Sequence, residues 1–280
     1  MHPPFWYHVG HAIKLTYDQC QPSPIFVQAA QRNHFSWHIV SHANAFDIQG
    51  CAPSQLKTII RRDPMREAPM LEEDFTKGDF GWISNHPPGF RSSRWSKADT
   101  GGVQPDMLEF AVSRAAGWGT GATFRTRLAR LDPHPRTDDI LEIFKRWETV
   151  KEKNMLSEKQ KAALRNPDQE HILLRNENSE FELRPYDQIS QVPTDKIRAF
   201  HFQRKGKVYI VYWHTRGEGR FLLPVDRKNI KLFDSLFEEP LDLKTRQGKV
   251  VLPAGNRRYL ECTDLSQQQV IEAFRNLRLL

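Results

Sequence analysis

The spacing of hydrophobic positions divides the sequence into two halves. From the start to about residue 155, short apolar runs alternate with stretches whose apolar residues recur at helical spacing. From about residue 170 onward, apolar and polar residues alternate with the period of a half-buried strand. The pattern therefore predicts an α/β half followed by an all-β half.

In the first half, the apolar runs are short and continuous, which is typical of strands buried on both faces of a sheet. The predicted strands cover 25–30, 78–83 and 121–126. The predicted helices cover 8–20 and 54–62, and two more begin at Pro105 and Thr137. Strands and helices in alternation indicate a parallel sheet.

The second half begins after a connector. Ser157–Gln160 has the sequence of a capping box, which predicts a short helix that ends before Pro167. Two hairpins and further strands are then predicted over 171–175, 180–184, 198–203, 207–214, 220–225, 230–233, 241–244, 249–252 and 258–262. A second capping box at Ser266–Gln269 predicts a final helix. About eight strands at this spacing fit one antiparallel β-sandwich.

The first half has too few βα units for a closed (β/α)8 barrel, which takes about 250 residues. Parallel strands standing alone would expose long unpaired edges. We therefore expect residues 1–155 to form part of a barrel whose upstream units lie outside this sequence, with a connector at 156–169 and a β-sandwich at 170–280. The alternative is a small open α/β layer, whose edge a partner chain or self-association would cover.

Charge and composition exclude several classes of protein. The net charge is +7 and the pI is about 9.3, but lysines and arginines are scattered among 34 acidic residues, so we expect no nucleic-acid partner. No apolar run is long enough to span a bilayer. The three cysteines are far apart and predict neither a disulfide framework nor a metal knuckle. The first residues have no signal-peptide pattern, and localisation stays open because a missing N-terminus could carry an export signal to the periplasm or outside the cell.

Several segments together resemble a known class of enzymes. They are His134–Thr137, Phe200–Gln203, Val208–Trp213, Phe221–Val225, Val250–Pro253, Arg258–Leu260, Asp79–Trp82 and Gln104–Glu109. In this order they resemble the end of the barrel and the C-terminal β-sandwich of bacterial (β/α)8 glycoside hydrolases. The resemblance implies a partial barrel, a β-sandwich, and a carbohydrate with O-glycosidic bonds as the substrate.

Glycoside hydrolases of this kind use two carboxyl groups, one as the acid and one as the nucleophile or base. Reactive groups of an α/β barrel lie beyond the C-terminal ends of its strands. Asp79, at the end of a predicted strand and close to Trp82, is the first candidate, and Asp47 is the second. A carboxylate that merely belongs to a loop or caps a helix is the alternative for each.

The remaining candidates are side chains that could contact a sugar. Trp37 and Trp82 could stack on a sugar ring, although either could equally be a core or rim residue. Hydrogen bonds to hydroxyl groups could come from Gln28, His34, His38 and His86. His34, His38 and His42 have zinc-like spacing, but the absence of an HExxH motif favours ordinary polar histidines, so we expect no metal and no cofactor.

Two functions remain open at this point. The first is a glycosidase, whose catalytic domain is incomplete in this sequence. The alternative is a non-catalytic carbohydrate-binding protein or an inactive remnant of a glycosidase. Outside the candidate site, we expect Glu109 to be either solvated or structural, and Trp213 to lie at the edge of a core, with glycan contact as its alternative.

Overall fold

A computed structural model describes residues 3–19, 28–29, 42–43, 46–47, 57–58, 61, 90–92, 103–119, 123–124 and 134–280. The chain forms two compact units, Met1–Ser93 with Arg114–Arg125, and Arg94–Ser113 with Thr126–Leu280. The predicted domain boundaries at residues 155 and 169 stay predictions.

The strands described in the first unit pair in parallel, as the alternation of strands and helices predicted. The elements before residue 125 are α1 (Pro3–Gln19), β1 (Gln28–Ala29), β2 (His42–Ala43), β3 (Phe46–Asp47), β4 (Phe90–Ser92), α2 (Pro105–Trp118) and β5 (Thr123–Phe124). One sheet pairs β1 with β2, and a second has the order β3-β4-β5. Strands β2, β3 and β4 were not predicted, and the predicted strand at 78–83 lies outside the described residues.

The second unit contains three helices and eleven strands among its described residues after 134. They are α3 (Thr137–Glu152), α4 (Glu158–Arg165), β6 (His171–Arg175), β7 (Phe181–Pro185), β8 (Asp187–Gln188), β9 (Ile197–Arg204), β10 (Lys207–His214), β11 (Gly219–Leu223), β12 (Ile230–Phe233), β13 (Lys244–Arg246), β14 (Lys249–Ala254), β15 (Arg258–Cys262), α5 (Gln267–Arg275) and β16 (Arg278–Leu279). All the pairings are antiparallel: β6 pairs with β7, and the two larger sheets have the orders β12-β15-β10-β9-β8 and β13-β14-β11-β16.

The central strand β10 is buried on both faces. Its residues Val208, Ile210 and Tyr212 belong to a core cluster shared by both larger sheets and α5. The alternate residues Tyr209 and Val211 belong to a second cluster, which includes residues of β6. The half-buried pattern predicted for this strand is therefore wrong, because a second layer covers the face that should have met solvent.

The predicted strand at 241–244 is shifted in the structure. Leu241 forms only an isolated bridge to Leu232, and β13 begins at Lys244. Gln247 and Gly248 both have positive φ, of 53° and 74°, and form the two-residue loop between β13 and β14. A loop of this kind fixes the register of its hairpin, and here it places the paired strand three residues later than predicted.

Both predicted capping boxes are present, at Ser157 before α4 and at Ser266 before α5. The Ser266 hydroxyl accepts from the backbone N–H of Gln269, whose side chain accepts from the backbone N–H of Ser266. The cap fixes the start of a helix that buries Val270 and Phe274 against the core.

Replacing Ser266 by alanine is therefore expected to lower the free energy of unfolding by about 1 kcal/mol, because one orphan backbone N–H loses its acceptor. Urea denaturation followed by circular dichroism would measure the change. Ser190→Ala, at an exposed position outside any helix, is the matched control and should change stability by less than about 0.5 kcal/mol. Equal losses for the two variants would contradict a role for the cap.

Candidate functional site

The structure describes the backbone of two predicted site residues. Asp47 is the last residue of β3, and Gln28 is the first residue of β1. The other six predicted site residues lie outside the described residues and stay predictions: His34, Trp37, His38, Asp79, Trp82 and His86.

The carboxyl ends of β3, β4 and β5 lie along one edge of their parallel sheet. Asp47 is the register partner of Arg91 in β4, and Ser92, the last residue of β4, is the partner of Phe124 in β5. Ligands of open α/β sheets bind beyond this edge of the strands. Asp47 therefore lies at the carboxyl end of β3, and its role in a site stays a prediction.

Glu109 lies at the centre of a buried network of charged residues in the second unit. Its side chain is 1% exposed and accepts three hydrogen bonds, from Trp147 Nε1 (2.5 Å), Arg257 Nη1 (2.9 Å) and the backbone N–H of Leu173 (3.0 Å). Arg146 Nη2 is 3.8 Å from the same carboxylate. Of the two sequence-based interpretations of Glu109, the structural one is confirmed and the solvated one is wrong.

Two more carboxylates extend this network on α3. Glu142 contacts Arg146 Nε at 2.9 Å and Arg257 Nη2 at 3.2 Å. Asp139 accepts the backbone N–H of Arg257 at 3.0 Å, and burial raises the pKa of its carboxyl group above the usual range. The network therefore joins α2, α3 and β6 to the loop before β15.

A cavity of about 200 Å³ lies beside the network. Its charged lining residues are Asp139, Glu142, Asp234, Arg146, Arg175 and Arg257. The three acids balance the three arginines, and each acid already pairs with an arginine. Paired carboxylates of this kind hold the surrounding elements together, and they do not form the acid and base pair that glycoside hydrolysis requires.

The segment His134–Thr137, which contributed to the resemblance, anchors the start of α3. Arg136 donates from Nη1 to Asn256 Oδ1 at 2.8 Å and from Nη2 to the carbonyl of Gly217 at 3.0 Å. His134 is buried and accepts the backbone N–H of Arg136 through Nδ1. Burial and the charge of Arg136 lower the pKa of His134 to about 4, so the ring is neutral at pH 7 and can accept this bond.

Trp213, at the C-terminal end of β10, is a core residue. It is 1% exposed, its ring stacks on Phe200 with centroids 5.5 Å apart, and its Nε1 donates to Gln104 Oε1 at 2.9 Å. The Gln104 amide also donates to the carbonyl of Thr215. The prediction of a core position is confirmed, and a glycan contact at Trp213 is wrong.

Among the described residues, no helix has the length and apolar composition needed to cross a membrane.

Comparison with known proteins finds only distant structural similarities. No protein-family model matches the sequence, and no curated protein matches it. A family 39 glycoside hydrolase from Bacteroides cellulosilyticus matches with a TM-score of 0.31 at 10% identity, over 80% of this chain and 44% of that protein. An α-amylase from Anoxybacillus gives a TM-score of 0.25 at 10% identity, over 94% of this chain and 56% of that protein.

A family 30 endoxylanase from Clostridium papyrosolvens gives a TM-score of 0.25 at 6% identity, over 90% of this chain and 59% of that protein. These structural neighbours are glycoside hydrolases, and their similarity to the chain is low. The chain spans about half the length of the solved structures that it matches.

Proposed function

We propose that the chain belongs to a protein similar to glycoside hydrolases, which acts on O-glycosidic bonds of a carbohydrate. In this proposal, the parallel strands belong to a (β/α)8 barrel, and the two larger antiparallel sheets form a β-sandwich that follows it in the sequence. The observation that carries the proposal is the position of Asp47 at the carboxyl end of β3, with β4 and β5 following in chain order in the same parallel sheet. Barrel enzymes place their reactive groups at this edge.

Asp79 and Asp47 would supply the two carboxyl groups of the reaction. One would be protonated and would donate its proton to the oxygen of the leaving sugar, and the other would be ionised and act as nucleophile or base. Trp37 and Trp82 would stack on the apolar face of a sugar ring. Gln28, His34, His38 and His86 would hold its hydroxyl groups.

The proposal predicts that a protein in which the barrel of this chain is complete hydrolyses at least one member of a panel of aryl glycosides and neutral polysaccharides. Asp79→Asn and Asp47→Asn should each lower kcat/KM by about 100-fold, because general acid–base or nucleophilic assistance is lost. Release of the aryl group or of reducing sugar would measure the rate. Asp168→Asn, at an exposed position after α4, is the matched control and should leave the rate unchanged.

Each outcome of this assay decides between the two functions. Full activity in both Asp79→Asn and Asp47→Asn would show that these carboxylates are not catalytic. An absence of hydrolysis across the panel, with retention of saccharide binding, would favour the non-catalytic carbohydrate-binding protein. Loss of activity in Asp168→Asn as well would mean that the substitutions act on folding.

A further inference from the structure

A groove of about 700 Å³ lies on the second unit, between α5 and the turn that joins β13 to β14. The turn contributes Gln247 and Lys249 to one wall. Asp226 and Asn229, between β11 and β12, contribute further polar groups. The groove therefore brings together residues that lie far apart in the sequence.

Four polar side chains in the groove have no partner in the part of the chain that the structure describes. Asp226, Asn229, Gln247 and Lys249 form no side-chain hydrogen bond or ion pair with a described residue. By contrast, the polar side chain of Gln269 on α5 is occupied by its capping box. The unpartnered groups include two amides, and each amide can both donate and accept hydrogen bonds.

The groove also contains apolar side chains from the edge of the core. Val225 and Leu265 pack against the main core cluster and also line the groove. A pyranose ring needs both kinds of surface, because its C–H face is apolar while its hydroxyl groups each donate and accept hydrogen bonds. Amide side chains match hydroxyl groups better than lone charges do, since each offers both a donor and an acceptor.

The charges in the groove favour an uncharged ligand. Asp226 and Glu272 are acidic, and Lys249 is the basic residue among those that line the groove. This balance gives no net attraction for an anionic polymer. The turn between β13 and β14 is a two-residue loop closed by the pair Arg246 and Lys249. Its residues Gln247 and Gly248 both have positive φ. This tight loop preorganises the wall of the groove that the turn forms.

We propose that this groove of the second unit binds an uncharged saccharide chain, through residues other than those of the candidate catalytic edge. Asn229 and Gln247 hold hydroxyl groups, and Val225 and Leu265 contact the C–H face of a ring. The choice of saccharides as the ligand class rests on the proposed function. A second binding surface of this kind would keep a polymeric substrate attached between successive encounters with the catalytic edge.

Affinity electrophoresis of the full chain tests the proposal. Because the pI is about 9.3, the protein is run toward the cathode, through gels that contain soluble starch, hydroxyethylcellulose, galactomannan or polygalacturonate. All the proteins carry Asp79→Asn, so that turnover does not remove the polysaccharide during the run. We expect at least one neutral polysaccharide to retard the chain. The double variant Asn229→Ala with Gln247→Ala should bind it more weakly, with an apparent Kd raised by about tenfold.

The matched control is the double variant Asn178→Ala with Gln191→Ala. Both residues are exposed and lie outside the groove, and Gln191 has a φ of 63°, close to that of Gln247, so the cost in backbone strain is comparable. The control should be retarded as strongly as the Asp79→Asn parent. Thermal melts of both double variants show whether they fold equally well.

Three results would overturn the groove as a saccharide site. They are no retardation by any neutral polysaccharide, equal retardation of the groove variant and the parent, and retardation by polygalacturonate alone. None of these results would contradict the proposed hydrolysis, because the hydrolysis assay reports on Asp47 and Asp79. Conversely, the hydrolysis assay could find no activity while the groove variant loses its retardation. That combination would support the groove as a saccharide site and contradict the catalytic proposal.

Discussion

Replacing Glu109 by glutamine is expected to lower the free energy of unfolding by about 3–5 kcal/mol, which is the usual cost of removing one partner from a buried ion pair. Glu109 is 1% exposed, and its carboxylate neutralises Arg257, whose side chain is 6% exposed. Glutamine has nearly the same shape, so the substitution removes the negative charge without opening a cavity. The guanidinium group of Arg257 would then be buried with less compensation.

The hydrogen bonds of Glu109 add to this cost. Its Oε1 accepts from both Trp147 Nε1 and the backbone N–H of Leu173, while Oε2 accepts from Arg257. A glutamine side chain has only one acceptor oxygen, and its NH2 group would face another donor. At least one buried donor therefore loses its partner, and such a loss costs about 1–3 kcal/mol on its own.

Glu142→Gln is the control for this prediction, because Glu142 pairs with the same two arginines, Arg146 and Arg257. Its side chain is 51% exposed, so solvent already screens its charge, and the expected loss is below about 1 kcal/mol. Urea denaturation of both variants, followed by circular dichroism, gives the comparison. A loss for Glu109→Gln no larger than that for Glu142→Gln would show that Glu109 is not the main counter-charge of the network.

Elements with strong local signals could be predicted from the sequence. The capping boxes at Ser157 and Ser266 locate the starts of α4 and α5, because the residues that satisfy the first backbone N–H groups lie within the same turn. The hairpin of β9 and β10 could likewise be placed, since Lys205 and Gly206 adopt the positive φ that its loop requires.

Features decided by distant residues could not be predicted in the same way. Glu109 lies within an apolar helical pattern, but its burial depends on Arg257, 148 positions later in the chain. Within the short loop at residues 255–257, Arg257 resembles any arginine of a surface turn. For β10 a signal did exist, because Val208–Trp213 is a continuous apolar run, which is typical of a strand covered on both faces.

The candidate site could be predicted only in part, for a related reason. Asp47 lies outside every strand predicted for the first half of the sequence, whereas the structure gives it a strand of its own, β3. That strand has two residues, which is too short for a periodic pattern to reveal. The parallel pairing of β3 with β4 depends on residues 44 positions apart, such as Phe46 and Phe90, and no local pattern specifies it.

Replacing Trp213 by alanine is the second substitution with a large expected effect, a loss of about 3–5 kcal/mol in the free energy of unfolding. Trp213 is 1% exposed, belongs to the second core cluster, and stacks its indole ring on Phe200 of β9. Alanine would leave a cavity that the surrounding strands cannot close, because β10 pairs with a strand on each side.

A graded pair of variants separates the packing of Trp213 from its hydrogen bond. Trp213→Phe keeps a ring against Phe200 but leaves Gln104 Oε1 without the indole N–H, so we expect an intermediate loss of about 1–3 kcal/mol. Phe237→Ala, at an aromatic residue that is 40% exposed, should cost less than either Trp213 variant. Equal losses for Trp213→Ala and Phe237→Ala in urea denaturation would contradict the core position of Trp213. Equal losses for Trp213→Ala and Trp213→Phe would instead assign its contribution to the bond with Gln104.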